Sequence, residues 1–257
     1  RQINDSEQSL SETLSPLSSV ESIDVPGAVE EAKYFEVQNN DLYLRIDSKT
    51  GRFIYSSLEN ISESKDSEET FRILGKTYDS ESGKENNYFT NSGFYTRTQG
   101  YLNPEFSEIS ELKNNTENRT YLLQGTSNGM NFVRKMVMQN DGYAIEVEDT
   151  ITSSIGDDIT VTPYVVIERD SSAVEESGLM YTYLGPVFSS TKDTYEKYDF
   201  EDIRESPYQN KSTGGWIALI QHYFLSAWVP DQSNDYLYQG RYGGNSGRYS
   251  LGYTSKD

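Results

Sequence analysis

An all-β fold is what this 257-residue sequence predicts. Tyrosine alone contributes 21 residues, so much of any core must come from Tyr and the β-branched residues, which suit a pleated sheet better than a helix. Short runs of apolar and polar residues alternate along the chain, and turn residues separate them at regular intervals. Convincing helices are few, because apolar residues seldom recur at helical spacing. A sandwich or barrel of short strands satisfies all three observations.

Residues 1–32 are rich in Ser and Glu, contain two prolines and lack aromatics, a composition that predicts a disordered linker. The β domain is expected over 33–257. Leu42, Leu44 and Ile46 alternate with Tyr43, Arg45 and Asp47, and the turn Ser48-Lys49-Thr50-Gly51 returns the chain through Arg52–Tyr55 as a hairpin. A charged loop is expected over 58–69, a short strand at Phe71–Leu74, and irregular structure from Lys76 to Pro104, where Gly, Asn, Ser and Tyr are dense. Tyr121–Leu123, Phe132–Met138 and the alternating run from Tyr143 to Ile151 read as strands, with turns at Ser127-Asn128-Gly129 and Asn140-Asp141-Gly142. Gly156-Asp157-Asp158 turns the chain into a strand over Ile159–Ile167. Thr191–Asp202 carries helix-compatible charges without a strong apolar period.

The run GGWIALIQHYFLSAWVP, Gly214 to Pro230, is the most apolar stretch. It falls short of the roughly 18 apolar residues that span a bilayer, and Gln221, His222 and Ser226 interrupt it. It reads as two buried strands, Trp216–Ile220 and Phe224–Val229, joined at Gln221-His222-Tyr223; a buried helix is the alternative. Trp216, Tyr223, Phe224 and Trp228 are assigned to the core.

The chemistry is narrowed by what is scarce. A net charge of −19 disfavours nucleic acid and anionic lipid as partners. Without cysteine there is no thiol catalysis, disulfide or thiolate metal site. His222 is the only histidine, no G-x-S-x-G elbow surrounds a serine, and a two-His metal site is impossible. Acidic pairs such as Glu68-Glu69 and Glu175-Glu176 read as solvated loop residues, and the glycines of YQGRYGGNSGRYSLGY lack the phosphate-binding spacing. No cofactor is implied. The aromatic set Tyr181, Tyr183, Phe188, Tyr195, Tyr198, Phe200 and Tyr208 lies among turn-like polar residues. Tyrosine suits partner surfaces, being large and amphipathic, and Tyr183, Tyr195, Tyr198 and Phe200 are the candidate contacts. The alternative is that these rings pad a thin sandwich core.

TYEKYDFEDI (Thr194–Ile203), followed by STGGWIALIQHYFLSAWVP (Ser212–Pro230), resembles the large periplasmic domain of the YidC family of inner-membrane insertases. Weaker similarity covers KTGRF at Lys49, Gly93-Phe94, YAIEV at Tyr143 and LGY at Leu251. The resemblance implies a β super-sandwich similar to galactose mutarotase-like folds, with the GGW…AW-x-P stretch structural. It implies that residues 1–32 follow a transmembrane helix outside this sequence, and that further strands and a helix follow Leu251. The insertase's membrane groove likewise lies elsewhere. In function it implies a non-catalytic domain on the periplasmic face of the Gram-negative inner membrane. Such a domain assists insertion and associates with the translocon subunits SecD and SecF, and with nascent membrane or exported proteins. One histidine cannot furnish mutarotase-type acid–base chemistry. The rival readings are a soluble carbohydrate-binding or sugar-processing sandwich and a general chaperone cleft.

Overall fold

The computed structural model describes residues 33–78, 85–112, 117–154, 156, 159–170, 183–221, 223–244 and 247–255. The proposed linker 1–32, Tyr181 and His222 lie outside them. The chain opens as an antiparallel meander of β1 (Tyr34–Gln38), β2 (Leu42–Asp47) and β3 (Phe53–Ser62). Leu42, Leu44 and Ile46 are buried on one face of β2, as their alternation predicts. The β2–β3 turn is closed by Asp47, whose Oδ1 accepts from the Lys49 and Thr50 amides and the Thr50 hydroxyl.

Next come β4 (Thr70–Tyr78), β5 (Glu85–Thr96), β6 (Gly100–Leu102), β7 (Glu105–Leu112), β8 (Asn118–Ser127), β9 (Met130–Gln139) and β10 (Ile145–Ser153). β11 (Thr162–Asp170), β12 (Leu184–Ser189) and β13 (Glu196–Lys197) lead to a single-turn helix, α1 (Phe200–Glu205). The chain then forms β14 (Tyr208–Thr213), β15 (Trp216–Gln221), β16 (Phe224–Trp228), β17 (Asp235–Gly243) and β18 (Arg248–Ser255). Among the described residues three antiparallel sheets result. The large one runs β1-β2-β3-β4-β5-β11-β18-β17-β14 with β6 beside β5; the others run β10-β9-β8-β7 and β13-β12-β15-β16. Ile46, Phe53, Ile167 and Leu251 of the large sheet, Leu123, Phe132 and Met136 of the second, and Phe188, Ile217 and Leu219 of the third share one core. The all-β sandwich is therefore the fold.

Several local expectations are corrected. The loop expected over 58–69 begins later, because β3 continues through Ser62. The described part of Lys76–Pro104 is mostly strand. Its Asn- and Ser-rich sequence forms the 12-residue β5, held between β4 and β11. Gly93 in β5 leaves room for the Tyr164 ring, whose hydroxyl would lie 3.0 Å from an added Cβ. Neither β7 nor β1 has an alternation strong enough to be recognised. Tyr223 is not core: it is 75% exposed, at the tip of the hairpin formed by β15 and β16. Trp216, Phe224 and Trp228 are half-buried rather than sealed: Trp216 lies on the face of β15 opposite the core residues Ile217 and Leu219, and Phe224 and Trp228 lie on β16, the last strand of its sheet among the described residues.

Candidate functional site

Two surfaces carry features that the fold alone does not demand. The first is the outer face of the third sheet. Ile217 and Leu219 point into the core, so Trp216, Ala218 and Ile220 point away from it. Pairing places Ala227 opposite Ala218 and Leu225 opposite Ile220 on that same outer face. Tyr195 is 53% exposed, and its ring lies 6.1 Å from that of Trp216. The Lys197 ammonium sits 4.5 Å from the centre of the Tyr183 ring and 5.4 Å from that of Tyr195. Sequence candidates Tyr183 and Tyr195 thus meet through Lys197.

Tyr198 and Phe200 are drawn elsewhere. The Tyr198 ring packs edge-on to Phe188 and Tyr208, and its hydroxyl donates to Glu196 at 2.6 Å. Desolvation, reinforced by Glu196, pushes that phenol's pKa up. Phe200 lies 4.6 Å from Tyr249. Both rings pack against the main core from the edge, because α1 is anchored there by its buried Ile203.

The second surface is a cleft of about 970 Å³ between the second and third sheets. Leu44, Phe53, Leu74 and Thr90 of the large sheet form its floor. Ile145 and Val147 on β10 and Leu225 and Trp228 on β16 form the facing walls. Trp228 is fixed by its indole N–H, which donates to the Thr90 hydroxyl, while Thr90 donates to the Val166 carbonyl at 2.7 Å. The Phe224 ring packs at a tilt against Phe71, with centroids 4.2 Å apart. Opposite, the β10 wall is tied down by Arg134. Its guanidinium donates to both oxygens of Asp149 at 2.7 and 2.8 Å, and to the carbonyls of Gly51 and Ser92, each at 2.8 Å. Arg134 had a legible signal: it occupies the inward position between Phe132 and Met136 in the alternation MNFVRKMVMQ. A charge in a core row requires a buried partner, and Asp149 stands directly opposite on β10.

The profile of the YidC periplasmic domain matches residues 35–257. This chain belongs to the YidC periplasmic domain family. The membrane protein insertase YidC of Pseudoalteromonas translucida is 31% identical over 238 residues, covering 87% of this chain and 41% of that protein. For the YidC of Shewanella loihica the figures are 30% over 214 residues, 80% and 39%. For that of Haemophilus influenzae they are 31% over 211 residues, 79% and 38%. The chain thus spans about 40% of the length of the curated relatives it matches. Membership assigns it to the periplasmic face of the inner membrane.

Desolvation pushes the buried Tyr88 phenol, beside the cleft floor, up to about 12, and Tyr164 likewise. Among the described residues no group of three or more His, Asp or Glu converges as a metal site, and no helix is long and apolar enough to cross a membrane. What the two surfaces offer is apolar area, aromatic rings and strand edges.

Proposed function

We propose that this chain is a non-catalytic docking domain of a membrane protein insertase, and that it holds the insertase beside the Sec translocon by contacting the accessory subunits SecD and SecF. The observation that carries the reading is the solvent-exposed Tyr195 beside half-buried Trp216, with Lys197 between the Tyr183 and Tyr195 rings. Aromatic rings beside a cation on a rigid sheet are the usual anchors of protein interfaces. Tyr198 and Phe200 serve in this reading as packing beneath the surface.

The test is cross-linking in the full-length membrane protein. Tyr195→Ala and Trp216→Ala should each reduce cross-links to SecF several-fold. Tyr195→Ala should leave the melting temperature nearly unchanged, since exposed truncations rarely alter stability by more than about 0.5 kcal/mol. Undiminished cross-linking by both variants would overturn the proposal.

A further inference from the structure

The cleft has a property separate from the Tyr195 surface. Both of its walls end in strand edges. Within the described residues β16 pairs only with β15, and β10 only with β9, so each presents one unpaired edge to the cleft. The two edges differ. β10 (IEVEDTITS) places Glu146 and Glu148 between its apolar residues, the charged pattern that protects an edge from strand addition. β16 (FLSAW) has no charge, no proline and no shift in its register with β15. Ser226 is its one polar residue, and both faces carry apolar side chains. Phe224 and Trp228 pack toward the floor, while Leu225 and Val229 are 57% and 63% exposed.

We infer that the free edge of β16 receives an extended apolar polypeptide segment as an added strand within the cleft. Five residues of edge offer about 17 Å of backbone pairing. Side chains on one face of the added strand rest on the Phe53, Leu74 and Thr90 floor; those on the other lie beside Leu225 and Val229. The segment is apolar at consecutive positions, as in a chain bound for a membrane, and flanked by basic residues, because Glu146 and Asp231 line the cleft. A second copy of this chain is disfavoured as occupant, since each copy carries −19.

The probe is a fluorescent peptide with a seven-residue core of Val, Leu and Thr between Lys pairs. A twin, N-methylated at alternate core residues, keeps the side chains and loses the amide donors. The 257-residue chain should bind the unmodified peptide roughly tenfold or more tightly than the twin, reflecting the lost backbone hydrogen bonds. Amide exchange should slow at Phe224–Trp228 and not at Ile145–Ser153. Glu146→Lys should weaken binding and flatten its salt dependence. Equal affinity for the two peptides would overturn strand addition in favour of side-chain docking alone. Protection confined to β10, or no peptide binding, would also overturn it. So would self-association that protects β16, or binding that emerges only after residues 1–32 are removed, since each names another occupant.

Discussion

Glu168 illustrates how a residue's position in the sheet outweighs its type. It lies on β11 opposite Ser250, is 4% exposed, and has the Ser250 hydroxyl 3.3 Å away. Burial pushes its carboxyl above the ordinary 4.5; Arg52 and Arg248 oppose the shift without cancelling it. Arg248 is engaged with Asp170 at 2.8 Å. The folded state therefore holds the Glu168 proton to higher pH than the unfolded chain does. Its contribution becomes unfavourable as pH rises from about 4.5 through the raised folded value, and stays so above it. Glu168→Gln should melt higher than the parent at pH 8, and the gap should close as pH falls toward 4.5. Calorimetry across that range is the check, and a gap that widens on acidification would refute this account. Nothing in the local sequence VVIERD marks Glu168 as buried. Its alternation with Tyr164 and Val166 does, once those two are known to pack under Tyr95 and Tyr101.

Among the elements, the step from β14 to β15 decides the architecture. β14 belongs to the large sheet and β15 to the third, and only Gly214 and Gly215 separate them, with φ of +64° and +101°. A Cβ on Gly215 would lie 2.2 Å from the Ser189 carbonyl oxygen. Gly142 has a similar φ of +102° with open space around it. Gly142→Ala should thus cost about 1–2 kcal/mol, the penalty of left-handed backbone alone. Gly215→Ala should cost clearly more, because backbone at Ser189 must move. Urea unfolding of both variants separates the contributions; equal losses would mean that the third sheet yields freely. A Gly-Gly pair suits a turn or bulge. That this one carries the chain between sheets is not legible locally, since the carbonyl it must clear is 26 positions upstream.

For the whole molecule, the Arg134 cluster ties the second sheet to the large one. The guanidinium is 2% exposed, lies 5.7 Å from the Phe53 ring centre and 5.6 Å from that of Phe106, and bonds groups on β10, on β5 and in the β2–β3 turn. Arg134→Met should destabilise by about 3–5 kcal/mol, because Asp149 and two carbonyls lose their partner together. Denaturant unfolding measures this. A loss under about 1 kcal/mol would show that apolar burial alone holds the sheets together.

By itself the sequence determined the all-β class, the β2–β3 and β9–β10 hairpins and the pairing of the two apolar runs as β15 and β16. Each rests on local alternation and turn chemistry, which act between neighbours in the chain. The tertiary structure alone decided that the Asn-rich β5 is a strand, because its order comes from β4 and β11 on either side. It alone brought Tyr195 to the surface beside Trp216 while packing Tyr198 and Phe200 below, and left Tyr223 in solvent at a hairpin tip. The cleft belongs to the same category. Its lining runs from Leu42 to Ser255 and comes from all three sheets, so no local pattern could announce it. A concave surface is set by how twisted sheets pack, and that packing depends on contacts between residues far apart in the chain.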